Sequence, residues 1–306
     1  MFNTHMSETV PSRPLVGILW MLFAGICFVG VNALVKILGS RIPAPESAFL
    51  RYLIGLVFLL PLVRQMASVR IDRLLWTQFI GRGMFHSLGV MLWFYAMTQI
   101  SLADVTAINY LTPVYITIGA AIFLGERLAI RRILAIFVAL IGAAIILRPG
   151  FREIGVGHWA MMLAALIFAG SYILAKIVVD KAKPALVMGM LSLWVSVGLA
   201  PFAIAVWVPP TMNEILLLAG VAVCATIGHY AMTLAFAAAP MALTQPVTFL
   251  QLVWATLLGA LFFHEAIDPF VIGGGLLILA SVTFISWREA MLNRRAVTPP
   301  APAPEV

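Results

Sequence analysis

Residues 93–132 read WFYAMTQISLADVTAINYLTPVYITIGAAIFLGERLAIRR. An apolar segment leads into a polar hinge between Gln99 and Asp104, a second apolar segment carries Asn109 and Pro113, and Gly125-Glu126 ends it before Arg127, Arg131 and Arg132. A weaker copy lies near the other end of the chain. Tyr230-Ala231-Met232-Thr233 repeats Tyr95-Ala96-Met97-Thr98, and LVWATLLGALFFHE, ending at Glu265, repeats PVYITIGAAIFLGE, ending at Glu126. The chain is a duplicated unit.

Working outward, composition decides which solvent the unit folds in. Apolar residues make up 63% and charged residues 10% of the 306, whereas charged residues are about a quarter of a soluble domain. Mean hydropathy is +1.06. The apolar runs are about 20 residues long, which at 1.5 Å per residue matches a hydrocarbon core of about 30 Å. Without water to satisfy the backbone, each run must be a helix. The expected class is an all-α polytopic membrane protein with ten transmembrane helices, at 16–38, 45–63, 77–98, 103–124, 130–147, 156–178, 184–208, 214–238, 241–263 and 269–287. The domain reading is a cytoplasmic segment 1–14, a first repeat 15–150, a second repeat 151–288, and a disordered cytoplasmic tail 289–306 ending in TPPAPAPEV. The start lacks a cationic n-region and a small-residue cleavage site, so it does not read as a cleaved signal peptide. Cys27 and Cys224 fall inside apolar runs far apart and read as small core residues.

The basic residues orient the spans. With a cytoplasmic N-terminus, twelve Lys and Arg fall on the cytoplasmic side, among them Arg73, Arg127, Arg131, Arg132, Lys181, Lys183 and Arg295. Only Arg41, Arg148 and Arg152 fall opposite, a positive-inside pattern. That asymmetry also accounts for the net charge of +7 without a nucleic-acid partner. Phe28, Gly30, Leu34 and Lys36 of span one match Phe168, Gly170, Leu174 and Lys176 of span six. Because each half holds an odd number of spans, five, the second half enters the membrane from the opposite side. Two inverted five-helix repeats are an architecture of secondary transporters.

These features also resemble a known family. The two five-span units, the GER after span four with its HEA counterpart after span nine, the FLRYLIG run around Arg51 and the WFYAM run are similar to the EamA branch of the drug/metabolite transporter superfamily. The likeness covers residues 15–288. It implies ten helices with both termini in the cytoplasm of a bacterial inner membrane, and a central cavity lined by spans one, three, four, six, eight and nine. It further implies alternating access to a small organic metabolite, either an amino acid or related compound, or a nucleotide-like or vitamin metabolite such as S-adenosylmethionine or riboflavin. The second half departs from the pattern at Leu191, His264 and Ser281, which stand where Arg51, Gly125 and Gly142 would repeat.

Helical spacing selects the residues that share a face. Phe28, Asn32 and Lys36 lie four apart in span one, as do Phe168, Tyr172 and Lys176 in span six. Arg82, His86, Gly89 and Trp93 form one polar stripe on span three, which should turn inward because a charge at the bilayer centre costs about 2.5–3.5 kcal/mol. Arg51 and Arg82 lie roughly 8–10 Å from the nearer interface at 1.5 Å per residue. A substrate role and a structural contact both fit them, and snorkelling to headgroups competes with gating for Lys36 and Lys176. Pro113 and Pro246 each remove a backbone donor, so they read either as gates that open backbone toward a cavity or as packing kinks. Asn109, Gln245 and Gln251 offer neutral hydrogen bonds, and Tyr110, Tyr172 and Tyr230 offer rings with a polar tip. His86 and His229 read as proton carriers or as packing histidines. Substrate-binding candidates are therefore Asn32, Arg51, Arg82, His86, Trp93, Asn109, Tyr110, Tyr172, His229, Tyr230, Gln245 and Gln251, with Lys36, Pro113, Lys176 and Pro246 as gates. Positive charge beside aromatic rings suits a carboxylate or phosphate on an apolar or aromatic body.

Catalytic motifs are absent. The sequence holds no metal-spaced His/Cys/carboxylate cluster, no GxSxG and no Walker A, so no cofactor, metal site or catalytic residue is expected. The chain reads as a non-enzyme, with an integral membrane enzyme or a scaffold as the alternative class. Glu126 and Glu265 read as structural, and the small faces at Gly142-Ala143-Ala144 and Gly273-Gly274-Gly275 permit close packing within or between chains. Partners are a small-molecule substrate and the lipid bilayer, and the oligomeric state is not legible.

Overall fold

In a computed structural model, residues 14–59, 72–123, 130–148, 153–179, 182, 184–238, 247–248 and 250–297 are described. They form eleven helices: α1 Pro14–Leu38, α2 Ala44–Leu59, α3 Arg73–Gln99, α4 Leu102–Asn109, α5 Thr112–Phe123, α6 Ile130–Leu147, α7 Val156–Val179, α8 Pro184–Ala205, α9 Met212–Ala238, α10 Leu250–Phe263 and α11 Pro269–Val297. Four stretches are long and apolar enough to cross a membrane: Leu15–Leu38, Val156–Ala175, Leu186–Ala205 and Met212–Met232. Large apolar side chains stand exposed in stripes along helix flanks, such as Leu15, Leu19, Phe23 and Ile26 on α1 and Ile130, Leu134, Phe137 and Ile141 on α6. A water-soluble protein rarely shows such continuous apolar surface; hydrocarbon is its natural solvent.

Two segments depart from the expected spans for physical reasons. The single helix expected over 103–124 breaks into α4 and α5 at Tyr110 and Leu111, whose N–H groups bond only three residues back, to Ala107 and Ile108, at 3.2 and 3.0 Å. Pro113 has no N–H with which to continue the ladder. At the other end, α11 runs to Val297, past the expected stop at Trp287 and into the tail read as disordered. Arg288 to Arg295 is rich in good helix formers, and no Pro intervenes until Pro299. The proposed gate Pro246 and the candidate Gln245 lie outside the described residues, as does the side chain of Lys176.

The helix pairing follows the duplication. The closest partners are α1 with α9, α3 with α7, and α6 with α11, followed by α3 with α8 and α2 with α8. Exchanging each span for its counterpart five spans on converts the α1–α9 pair into α7–α3 and leaves α6–α11 and α2–α8 unchanged. Close approach needs small residues. A Cβ on Gly142 would lie 2.7 Å from the Gly274 carbonyl oxygen, and one on Gly274 would lie 2.5 Å from that of Gly142. The small faces of spans five and ten thus pack against each other within one chain. The largest core cluster draws on both halves, with Phe94, Met97, Ile108, Leu111, Ile146, Met161 and Leu199 fully buried.

Candidate substrate site

The polar stripe on α3 faces α7. His86 bonds Ser171 Oγ through Nδ1 at 3.2 Å and the Tyr52 hydroxyl through Nε2 at 3.1 Å, so its ring joins α3 to both α7 and α2. Ser171 in turn donates to the Arg82 carbonyl oxygen at 3.3 Å. Phe168 lies 5.0 Å from His86, 6.2 Å from Trp93 and 6.4 Å from Tyr172, between ring centroids. Gly89 makes room for it, since a Cβ there would sit 2.8 Å from the Phe168 ring. Across the two-fold exchange, Phe28 of α1 packs edge-on to His229 of α9 at 5.0 Å.

Two guanidiniums join this aromatic wall. Arg51 is buried on α2 with Cζ 4.0 Å from the Tyr52 ring centroid. Arg82 is buried on α3 and donates Nη1 to the Val187 carbonyl at 3.3 Å. Both lie within electrostatic reach of His86 and His229. Their Nε groups are buried with no hydrogen-bond partner, and so is the Asn32 side-chain oxygen on α1. The structure therefore gathers Arg51, Arg82, His86, Trp93, Tyr172 and His229 in one neighbourhood. Tyr172 remains 41% exposed beside these rings, so part of the wall is open to a ligand.

The candidates on spans four and nine fare differently. Asn109 is exposed and accepts from the Thr112 hydroxyl at 3.3 Å. Tyr110 is buried, and its hydroxyl donates to the Thr248 carbonyl at 2.8 Å, linking the break between α4 and α5 to the entrance of α10. Gln251 packs its Cγ against Gly25 of α1, where a Cβ would be only 3.0 Å away. Tyr230 is 63% exposed. Tyr230 adjoins His229 in sequence, but successive residues of a helix point to different sides.

A separate set of contacts closes one end of the bundle, the end that carries Arg41. Lys36 forms an ion pair with Glu265 and donates to the Ile100 carbonyl at 2.9 Å, while Glu265 accepts the Leu102 N–H at 3.0 Å. Arg41 Nε donates to Glu214 at 2.5 Å, an interaction that raises the guanidinium above its ordinary pKa, and Glu46 accepts the Val208 N–H at 2.8 Å. Arg148 pairs with Asp268 and lies over Phe270, and the His158 ring stands 3.9 Å from Asp104. Apart from the Lys36 bond to the Ile100 carbonyl, each of these contacts joins the first half to the second.

Lys36 therefore does not snorkel. Glu265, read from sequence as merely structural, is its partner. Tyr52 and Ser171 were also missed; the available signals were their positions beside Arg51 and between Phe168 and Tyr172. Among the described residues no group of three or more His, Cys, Asp or Glu is placed to hold a metal ion.

Exposed apolar flanks, two alike halves and a polar centre define a multi-pass helical membrane protein of the transporter type. The chain belongs to the EamA-like transporter family, whose model matches it twice, at residues 15–148 and 155–287. It is similar to a riboflavin transporter of Rhizobium johnstonii, at 30% identity over 93% of this chain and 95% of the relative. A pseudopaline exporter of Pseudomonas aeruginosa is 28% identical over 88% of this chain and 95% of its own length. An S-adenosylmethionine uptake transporter of Rickettsia bellii is 25% identical over 90% and 94%. A solved crystal structure superposes with a TM-score of 0.60 at 18% identity, covering 92% of this chain and 99% of its own, and so shares the fold. Relatives named as transporters place the chain among metabolite transporters of the drug/metabolite superfamily.

Proposed function

We propose that the chain is a secondary carrier that moves a small organic metabolite across the bacterial inner membrane by alternating access. In this reading its two five-span halves are inverted and both termini are cytoplasmic. The observation that carries the reading is the set of contacts at the Arg41 end. Lys36 with Glu265, Arg41 with Glu214, Glu46 with Val208 and Arg148 with Asp268 all tie one half to the other, at the end where the positive-inside pattern places the exterior. The polar cluster at Arg51, Arg82 and His86 lies deeper than these ties. A closed end over a central site is one of the two states that a rocking carrier needs, and inverted halves supply the second by exchanging roles. Transport is then driven by the substrate's own gradient or by a coupled ion.

The same reading assigns roles to the candidate residues. Arg51, Arg82, His86, Trp93, Tyr172 and His229 bind substrate, with Asn32 offering a free acceptor, and Lys36 with Glu265 forms the outer gate. Gln245, Asn109, Tyr110, Tyr230 and Gln251 are assigned to the lining of spans four, eight and nine, and Lys176, Pro113 and Pro246 to the opposite gate. A vitamin or nucleotide-like substrate is a second reading, supported by the relatives named for riboflavin and S-adenosylmethionine. Uptake and efflux of riboflavin, S-adenosylmethionine and amino acids in reconstituted vesicles, with and without a proton gradient, separates these readings. Saturable counterflow of one compound is expected. If no compound on the panel is exchanged, and cysteine accessibility stays fixed under all of them, the scaffold or enzyme reading replaces the carrier.

A further inference from the structure

The central cluster holds two cations, and among the described residues no carboxylate neutralises them. Arg51 and Arg82 are each 8% exposed, and the Nε of each lacks a hydrogen-bond partner. Among the described residues, the Arg51 guanidinium meets a ring face and that of Arg82 one carbonyl. A buried charge left unpaired costs several kcal/mol, and the usual remedy is a carboxylate from a neighbouring helix. Among the described residues no carboxylate pairs with either guanidinium. Glu46, Asp104, Glu214, Glu265 and Asp268 are occupied at the Arg41 end, and Asp72 caps α3. The other six of the twelve acidic residues, Glu8, Glu126, Glu153, Asp180, Glu289 and Glu305, fall outside the expected spans, with Glu289 on the extension of α11 past Trp287.

The histidines do not help, since a neutral imidazole carries no charge and a protonated one adds a third positive charge. Guanidinium is also the side chain best suited to a planar or tetrahedral oxyanion, through paired N–H donors. Against His86, one helical turn from Arg82, stand Phe168 and the part-exposed Tyr172, flat surfaces for an apolar body.

We propose that the site takes an organic anion, with its carboxylate or phosphate held by Arg51 and Arg82 as their missing counter-charge and its ring or apolar body laid on Phe168 and Tyr172. This inference rests on the reading of the cluster as the carrier's substrate site, and it adds the charge class of the substrate. Because no described carboxylate pairs with these cations, the substrate's own charge completes the site. A neutral analogue of the same shape leaves both cations unpaired and binds far more weakly.

Matched probes test this on the full chain purified in nanodiscs. Thermal unfolding is followed with 4-hydroxyphenylacetate against its amide, and with phenyl phosphate against phenol. At saturating probe the anions are expected to raise the melting temperature by about 3–5 °C, as ligand linkage implies, and the amide and phenol to leave it within about 1 °C. The carboxylate and phosphate arms show which oxyanion is preferred. Arg51→Gln and Arg82→Gln should each abolish the anion's shift, whereas Arg82→Lys, which keeps the charge, should retain part of it. If either Gln variant fails to fold, the Lys variants of both positions, titrated with the same pairs, carry the comparison through a weakened but still anion-selective shift.

Equal shifts from anion and neutral partner, no shift from either anion, or an undiminished shift in folded Gln variants would each overturn the proposal. Vesicle counterflow keeps it distinct from the carrier reading. Anion binding without exchange would sink the carrier and leave the anion site, while exchange of a neutral metabolite with no anion binding would do the reverse.

Discussion

Lys36 and Glu265 are 229 positions apart in sequence, yet their ion pair, together with the Ile100 carbonyl and the Leu102 N–H, joins the end of α1, the hinge before α4 and the end of α10 at one point. The lysine stands in the last turn of α1, where a cation suits the helix dipole, and the carboxylate reaches the first turn of α4, where an anion does. Each charge is favourable on its own helix and more so with the other. Val35 beside Lys36 is 1% exposed.

That relationship yields the first prediction. In a chain lacking Cys27 and Cys224, Val35→Cys should react slowly with a soluble thiol reagent, and adding Glu265→Gln should speed labelling several-fold by releasing the gate. Ala175→Cys, on the matching helix of the other half, should change in the opposite direction when saturating substrate is added on one side. Parallel changes at both positions would indicate a pore, and no effect of Glu265→Gln would remove the pair from the gate.

The crossing of α6 and α11 gives a contrast between neighbouring glycines. Gly274→Ala places a methyl group 2.5 Å from the Gly142 carbonyl oxygen, whereas a Cβ on Gly273 meets nothing within 4 Å. Overpacking of this kind costs about 1–3 kcal/mol. Gly274→Ala is therefore expected to lower the melting temperature clearly and Gly273→Ala to leave it nearly unchanged; equal melting temperatures would contradict the close crossing.

His86 holds two partners on two helices. Tyr52→Phe leaves Nε2 without its bond, and a buried polar group so orphaned costs about 1–3 kcal/mol. We expect Tyr52→Phe and His86→Ala each to destabilise the protein, and the double variant to lose less than the sum, since the second change removes a bond already lost. Additive losses measured by chemical unfolding in detergent would show that the two side chains act independently.

The orientation assumed for both gates is open to direct test. Reporters fused after Arg73, Arg132, Lys183 and Arg295 should report cytoplasm, and those after Arg152 and Asn213 the exterior. A cytoplasmic signal at Arg152 would undo the inverted arrangement of the halves and move the Lys36 gate to the other face.

Much of this protein was legible in one dimension. Run length and the lack of intramembrane water require helices across the apolar stretches, whatever they pack against. The paired motifs ending at Glu126 and Glu265 disclose two copies, the family model matches both, and Pro113 marks where span four breaks. Helical spacing likewise groups Arg82, His86 and Trp93, because residues three, four and seven apart share a side by geometry alone. Spacing does not say which helix that side will meet. Only the tertiary structure sets His86 between Tyr52 and Ser171, gives Lys36 to Glu265 instead of the headgroups, buries Tyr110 while exposing Asn109, and turns the small faces of α6 and α11 toward each other. Those outcomes depend on contacts between segments far apart in sequence, where close packing and the cost of unpaired buried charge select partners that no local pattern encodes.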